Sequence, residues 1–364
     1  MKIDLISRRK FLRTASILTA GSTILPLNRI CGNSVCNLIE KDVVSIVNIK
    51  DGNISRAVEQ AIDLLGGIKS VTKGINSVLL KPNLVAPDVQ CTTKPEVVRA
   101  IAKLLKDSGK EVMIGEASAA AESFNVIGNE TYRTKKREIL DRMQQHVFDT
   151  LGYTEMAKSL GIPLINLHSG DIVEVSLDKG YAASSVKIHR ALTEADLICS
   201  IPMMKTHTLA TVTLSMKNLI GLYPGTEYYS VRSWLHDRAA ERGSSGVAYE
   251  VIDMNRAVKT GLSVIDASSA MEGNGPFGGT LVDMNLIIAG TSPLATDMVG
   301  SMLMGFGITE IPAINLAHKS GMKPQNLSDI EIRGLSIEHT RRKFVRPYVS
   351  KWTDINKFWG VKEL

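Results

Sequence analysis

Apolar strands and amphipathic helices alternate along most of this chain. An apolar run at 43–50 predicts the first strand, and a helical pattern at 54–67 follows it and ends at a glycine pair. The clearest helical pattern covers 94–109, with Pro95 in its first turn and Gly109 at its end. The remaining strands are predicted at 77–85, 111–118, 162–168, 172–177, 195–205, 262–268, 285–292 and 329–335, and the remaining helices at about 209–222, 247–259, 293–307 and 311–321.

This alternation predicts an α/β fold in which a mostly parallel sheet carries helices on both faces. A polar segment at about 119–161 interrupts the alternation, and its charged stretch predicts a helical insertion with a solvated face. We therefore expect one α/β domain over 37–337, followed by a basic and aromatic tail over 338–364 that packs on the surface of the domain.

The first 36 residues predict an export signal and a short linker. Arg8 and Arg9 precede Phe11 and Leu12, and a mild apolar run follows that is too short and too interrupted for a stable membrane span. This order is typical of a twin-arginine (Tat) signal, so we expect export in folded form through the Tat translocation machinery to the periplasm or another extracytoplasmic space. The competing interpretation is an ordinary amphipathic N-terminal helix.

The four cysteines, Cys31, Cys36, Cys91 and Cys199, contain no CxxC pair. This spacing disfavours an iron–sulfur cluster or a zinc site built from cysteine alone. A disulfide is permitted after export, but its partners do not follow from the sequence. Cys31 follows the bulky Ile30 and is therefore a poor site for a lipid anchor.

The net charge of +6 comes mostly from the signal. Residues 1–31 contain six basic residues and one acidic residue, so the other 37 basic and 36 acidic residues nearly cancel. The body of the protein therefore lacks the basic excess that nucleic-acid binding needs, and no nucleic-acid partner is expected.

Polar residues recur where the predicted strands end. In open α/β sheets, ligands bind beyond the carboxyl ends of the strands, so these residues predict one shared site. The residues at strand ends are Lys81, Asn83, Glu116, Ser118, Lys205, His207, Asp266, Thr291 and Ser292.

Lys205 and His207 stand before the predicted helix at 209–222, which contains Lys217 and Asn218. A buried ammonium is costly unless it is paired, and the start of a helix favours negative charge. Together these features suit a phosphate or a carboxylate. The competing interpretation is a histidine whose hydrogen bonds are all made within the protein, beside lysines that are exposed to solvent.

Two further segments supply candidate site residues. The stretch SAMEGNGPFGG at 269–279 is rich in Gly and Pro, which predicts a tight turn that presents Glu272 and Asn274. It matches neither common nucleotide-binding glycine motif. Asp297 stands early in an otherwise apolar helix, where it either caps a helix or holds Lys81 or Lys205 in place.

The motifs KPNLV, MKTH followed by LSMKNLIG, IDASSAMEGNGPFGG and IAGTSPLATDMVG resemble, in order and spacing, the family known as domain of unknown function 362. The resemblance spans about 76–307, although the family more often has Asp at the position of Glu116. It implies an α/β fold and no established reaction. Some relatives carry a ferredoxin-like cysteine-rich domain, but this chain lacks those cysteines. The motif positions that transfer are Lys81, Asn83, Glu116, Lys205, His207, Lys217, Asn218, Asp266, Glu272, Asn274 and Asp297.

Three functions fit these residues. The first is an exported enzyme for a small anionic substrate, with His207, Glu116 and Glu272 in acid–base roles. Its anion would be bound by Lys81, Asn83, Lys205, Lys217, Asn218 and Asn274. The second is a metal- or cofactor-dependent, redox-associated protein whose metal centre has Asp266 and Asp297 as ligands beside His207, Glu116 and Glu272. This oxygen-rich set favours Mg or Mn over zinc. The third is a non-catalytic periplasmic binding or accessory protein that uses the insertion as a partner surface.

Overall fold

The computed structural model describes residues 41–348, except 129, 243 and 244, together with residues 362–364. The predicted signal at 1–36 and Cys31 lie outside the described residues. No helix in the part of the chain that the structure describes combines the length and the hydrophobicity needed to cross a membrane.

Most of the predicted strands and helices are present in the predicted order, and the structure adds short elements, such as the strands Ser185–His189, Thr211–Thr213 and Gly278–Val282, that the sequence pattern does not predict. The strands are β1 (Asp42–Asn48), β2 (Ser77–Pro82), β3 (Glu111–Glu116), β4 (Val126–Ile127), β5 (Glu130–Thr131), β6 (Leu164–Asn166), β7 (Ile172–Ser176), β8 (Ser185–His189), β9 (Leu197–Ile201), β10 (Met203–His207), β11 (Thr211–Thr213), β12 (Thr260–Asn274), β13 (Gly278–Val282), β14 (Leu286–Gly290) and β15 (Ile330–Gly334). The helices are α1 (Ile54–Leu64), α2 (Ile68–Val71), α3 (Pro95–Asp107), α4 (Arg137–Thr150), α5 (Tyr153–Leu160), α6 (Ala191–Glu194), α7 (Ser215–Asn218), α8 (Gly225–Tyr228), α9 (Ser233–Glu241), α10 (Ala248–Ala257), α11 (Pro293–Leu303), α12 (Pro312–Lys319) and α13 (Ile337–Thr340).

One large sheet organises the described chain. Its strand order is β15-β1-β14-β12-β9-β2-β3-β6, with β10 and β13 paired to β12 and with β11 paired to β10. Along the main path only the two pairings of β14 are antiparallel. The prediction of a mostly parallel α/β sheet is therefore confirmed.

The two faces of the sheet bury different helices. Along β2, Val78 and Leu80 pack against α1, α3, α4 and α5, whereas Leu79 lies in the core that contains α10, α11 and α12. Successive residues of a strand point to opposite faces, so a strand covered on both sides is apolar throughout. This explains the continuous apolar runs in the sequence. The predicted helical insertion contains α4 and α5, while the domain boundaries at 37–337 and 338–364 stay predictions.

Three predicted elements were wrong in detail. The strand predicted at 195–205 is split by Pro202 into β9 and β10, because proline cannot donate to the ladder. The helix predicted at 209–222 consists of β11, the short helix α7 and a 3₁₀ turn at Leu219–Leu222. The turn predicted at 269–279 is mostly strand, since β12 continues to Asn274 and forms a hairpin with β13.

Candidate anion site at the strand ends

Lys81 forms a buried ion pair at the end of β2. Its ammonium donates to Glu116 Oε2 at 2.8 Å, to the carbonyl oxygen of Pro82 at 2.7 Å and, more weakly, to Asn218 Oδ1 at 3.4 Å. Burial lowers the pKa of Lys81, and the Glu116 carboxylate opposes that shift. All three ammonium protons have acceptors, so the position of this charge is fixed.

Glu116, at the end of β3, is occupied by several donors. Its Oε1 accepts from the amide of Ala117 at 2.8 Å, and its Oε2 accepts from the amide of Leu84 at 2.9 Å as well as from Lys81. A carboxylate bound in this way positions its neighbours. In this structure Glu116 fixes Lys81 and the chain that leaves β2, and its predicted acid–base role stays a prediction.

Asp297 supports the site from α11. Its two carboxylate oxygens accept from the amides of Ser215 at 2.7 Å and Met216 at 2.9 Å, which caps the N-terminus of α7. Burial raises the pKa of Asp297 to about 7, although the two amides favour the charged form. The cap orients the two site residues at the end of α7, Lys217 and Asn218.

Asn218 ties α7 to the sheet. Its Nδ2 donates to the carbonyl oxygen of Lys81 at 2.9 Å and to Ser200 Oγ at 3.1 Å. Because Ser200 lies in β9 and Lys81 in β2, one amide side chain bridges two neighbouring strands. Asn218 therefore holds the helix end against the strand ends.

A narrow cavity of about 60 Å³ lies among these residues, and we call it the cationic cavity. Sequence analysis did not single out Arg232 and His236, which also line it. The predicted site residues that line it are Lys81, Asn83, Glu116, His207, Lys217 and Asn218.

Two cationic side chains of the cavity form no ion pair in the described part of the chain. Arg232 is buried, and its Nε has no hydrogen-bond partner there. No hydrogen bond or ion pair joins Lys217 Nζ to another described residue. Burial and the cations around it hold the pKa of Lys217 well below the usual range for lysine, and burial lowers the pKa of Arg232 to about 10. An anion bound in the cavity would offset the desolvation cost of both charged side chains.

His207 presents a hydrogen-bond donor to the cavity. Its Nδ1 accepts from the amide of Leu209 at 3.0 Å, so the ring proton of the neutral form resides on Nε2. Burial and the nearby Lys217 cation hold the pKa of His207 well below its usual range. His236 is also neutral, because burial and Lys217 lower its pKa to about 3.

Arg232 reaches the cavity on a strained backbone. Tyr229, Val231 and Arg232 have φ values of 64°, 51° and 52°, in the left-handed region that side chains disfavour. Such residues cost about 1–3 kcal/mol each and gather at functional sites. The amides of Ser230 and Val231 donate to the carbonyl oxygens of Thr134 and Ala119, which anchors the segment to the insertion.

Three predicted anion-binding or catalytic residues lie outside the cavity. Lys205 is buried in β10 and donates to the carbonyl oxygen of Cys91 at 2.5 Å. Glu272 and Asn274 accept from the amides of Val345 at 2.9 Å and Tyr348 at 2.8 Å, so they bind the segment that follows α13.

The predicted metal ligands are not brought together in this structure. Asp266 accepts from the amide of Lys94 at 2.9 Å and from Ser268, whereas Asp297 caps α7. Among the described residues, no group of three or more His, Cys, Asp or Glu side chains is arranged to hold a metal ion.

Sequence reasoning missed Gly221, Arg232 and His236. A Cβ on Gly221 would lie 2.5 Å from Glu116 Oε1 and 2.6 Å from Lys81 Nζ, so the glycine permits close approach to the ion pair. Arg232 directly precedes α9 on a left-handed backbone and His236 lies within α9, so a helical period in the sequence does not link them.

The comparison with protein families agrees with the motifs. The family model described as domain of unknown function (DUF362) matches residues 78–302. The chain belongs to the DUF362 family. This finding confirms the resemblance drawn from the KPNLV, MKTH, KNLIG and MEGNGP segments, and it assigns no reaction.

A relative of this DUF362 protein is the thylakoid-associated protein sll1697 of Synechocystis sp. (strain ATCC 27184 / PCC 6803 / Kazusa). It is 25% identical over 276 residues, which cover 75% of this chain and 77% of the relative.

Two solved structures also match. They are the lactate racemase apoprotein of Thermoanaerobacterium thermosaccharolyticum, with 12% identity and a TM-score of 0.43, and a structural-genomics protein of Thermotoga maritima, with 16% identity and a TM-score of 0.33. The matches cover 74% and 59% of this chain and span 57% and 50% of those two chains.

Proposed function

We propose that this DUF362 protein is an enzyme that binds a small carboxylate- or phosphate-bearing substrate in the cationic cavity. The observation that carries the proposal is a pair of cationic side chains, the buried Arg232 and the half-buried Lys217, that form no ion pair in the described part of the chain. Glu116 attracts both cations, but its single negative charge is already paired with Lys81, so the cavity keeps an excess of positive charge.

The residues suit proton transfer on a bound anion. Arg232 offers a guanidinium to the anionic group, and His207 offers its Nε2–H. Lys217 is the proton-transfer group, because burial and neighbouring cations lower its pKa and so ease the loss of its proton. Asn83 Oδ1 is buried without a partner in the described part and would accept from a donor on the substrate.

We also propose that the protein works outside the cytoplasm after folded export by the Tat machinery. The support is the Arg8-Arg9 signal in the sequence. A thylakoid-associated name for the Synechocystis relative is compatible with such a location.

The first test is calorimetric binding of inorganic phosphate and acetate at pH 6 to 9. We expect Lys217→Gln and Arg232→Gln each to weaken binding at least tenfold. The control Lys103→Gln makes the same charge change on the exposed face of α3 and should change affinity less than twofold. Binding should take up a proton, because an anion favours the charged form of Lys217, so affinity should fall as pH rises.

Catalysis is tested separately from binding. A panel of carboxylates and phosphate esters in D₂O is followed by NMR for exchange of carbon-bound protons, with the wild-type protein and Lys217→Gln. We expect exchange in one substrate class and its loss in the variant. Anion binding without any exchange or turnover would favour the binding-protein alternative, and equal binding by all variants would overturn the anion site.

A further inference from the structure

A second cavity adjoins the cationic cavity. It is a groove of about 330 Å³, and six of its eight lining residues are apolar. We call it the apolar groove; the apolar members are Ala86, Pro87, Ala120, Ala121, Val126 and Phe277.

The two cavities share a wall. Phe277 lines both of them, and Val85 and Ala119 of the cationic cavity directly precede Ala86 and Ala120 of the groove. The amides of Ala119 and Ala120 both donate to the carbonyl oxygen of Val85, at 2.9 and 3.2 Å. A ligand long enough to occupy both cavities would therefore lie along this wall.

The two cavities differ in size and charge. At about 60 Å³ the cationic cavity has room for a single small ionised group. The groove is larger, and its one carboxylate, Glu122, disfavours a second anion there. The space next to the anionic group thus suits uncharged, apolar atoms.

We infer that the substrate is a free amphipathic anion, with one carboxylate or phosphate head in the cationic cavity and an apolar chain in the apolar groove. The inference rests on the proposed function for the position of the head. Burying the chain beside Phe277 and the alanines supplies affinity by the hydrophobic effect, whereas the head fixes the orientation.

The segment that follows α13, which includes Val345 and Tyr348 and which we call the C-terminal segment, holds the shared wall in place. Phe277 lies between β12 and β13, and it is 40% exposed. The amide of Gly273 donates to the carbonyl oxygen of Val345 at 3.0 Å, and Asn274 accepts from Tyr348. Glu272 and Asn274 thereby position the hairpin tip, which accounts for polar residues that the cationic cavity does not use.

The experiment is a chain-length series measured by calorimetry. The probes are acetate, butanoate, hexanoate and octanoate, with inorganic phosphate, butyl phosphate and octyl phosphate as a second series. A fully buried methylene contributes about 0.8 kcal/mol, or about fourfold in affinity, so we expect a gain of about two- to fourfold per methylene that levels off at the end of the groove.

A matched pair of variants tests whether the alkyl chain of the ligand lies in the apolar groove. Ala86→Leu fills the groove and should abolish the gain with length while leaving the affinity for inorganic phosphate within twofold. The control is Ala182→Leu, in a half-buried loop outside both cavities, where the amide is anchored to Asp253 at 2.6 Å. It should leave the whole series unchanged.

The outcomes separate this inference from the proposed function. If the anions bind but their affinity does not change with chain length in either series, the apolar groove is overturned as a binding site and the anion site still stands. A gain with length that survives Ala86→Leu also overturns the groove. If no anion binds, both the groove and the anion site are overturned. Phosphatidylglycerol vesicles are a further probe: if the protein binds these vesicles but neither octanoate nor octyl phosphate, the inference that the substrate is a free molecule is overturned.

Discussion

At the scale of single residues, the chain buries two lysines in different ways. Lys81 is paired with Glu116, whereas Lys205 has one carbonyl oxygen, that of Cys91, as its hydrogen-bond partner. Burial lowers the pKa of Lys205 to about 8. A hydrogen bond to a neutral carbonyl recovers less of the desolvation cost than a carboxylate does. Lys205 is therefore a stability cost that varies with pH.

Replacing Lys205 with Met should reveal this cost. At pH 7 the ammonium is charged in the folded and unfolded states, and burying it costs about 3 kcal/mol of folding free energy. Between its folded pKa of about 8 and its unfolded value of about 10.4, only the unfolded state keeps the proton, so the stability of the wild type rises with pH. The advantage of Lys205→Met should thus be largest at pH 7 and shrink by pH 10.

The measurement is urea unfolding of both proteins from pH 6.5 to 10, with the exposed Lys103→Met as the control. The orphaned carbonyl of Cys91 offsets the gain by about 1 kcal/mol, at every pH alike. A difference between Lys205→Met and wild type that stays constant across this range would contradict the prediction.

At the scale of elements, the site depends on a strand, a short helix and a 3₁₀ turn where the pattern predicted one helix. The apolar spacing over 209–222 is helical, but Thr211, Val212 and Thr213 favour a strand and pair with β10. Asp297, which is distant in sequence, then starts α7 at Ser215. The local hydrophobic period cannot predict the pairing with β10 or the cap from Asp297, because both are contacts with residues outside the segment.

The turn after α7 brings a glycine against the ion pair. We expect Gly221→Ala to displace Lys81 and Glu116, because the added Cβ would lie 2.5 Å from the carboxylate and 2.6 Å from the ammonium. The predicted loss is about 1–3 kcal/mol of unfolding free energy, together with at least a tenfold weaker affinity for phosphate. Urea unfolding and calorimetry measure the two effects.

Gly278→Ala is the matched control. It lies in β13, where a Cβ would meet only the carbonyl oxygen of Asn274 at an ordinary 3.5 Å. If Gly221→Ala and Gly278→Ala have the same stability and the same phosphate affinity, the prediction that Gly221 is needed for close packing against the Lys81–Glu116 ion pair is wrong.

At the scale of the whole molecule, the sequence predicts the layers better than the site. Strands such as β2 are apolar on both faces, which requires helices on both sides of a sheet, and polar residues after them mark its carboxyl edge. Lys81, Glu116 and His207 were singled out in this way, and the structure places them in the lining of the cationic cavity. Arg232 and His236 were not, because Arg232 lies on a strained segment anchored to the insertion and His236 lies on α9, which follows that segment. Glu272 was predicted at the site, yet the C-terminal segment engages it.

At the same scale, the distribution of charge bears on the proposed export. The excess positive charge lies in the first 31 residues, so the body is almost neutral overall, although cations gather in its cavity. Those cations acquire their arrangement only when the sheet and α7 have folded. Export in folded form would deliver the cavity intact.

This export is tested by changing Arg8 and Arg9 together to Lys. The charge and the apolar run stay the same, so a route that reads only charge and hydrophobicity should be unaffected, whereas a twin-arginine receptor should reject the signal. We expect the full-length double variant to remain in the cytoplasm of a Gram-negative host, and Arg13→Lys, outside the pair, to be exported like the wild type. Fractionation with and without a functional Tat translocase measures this. Export of the double variant, or of the wild type in the translocase-deficient host, would show that another route carries the protein, and the cavity would then have to form after translocation.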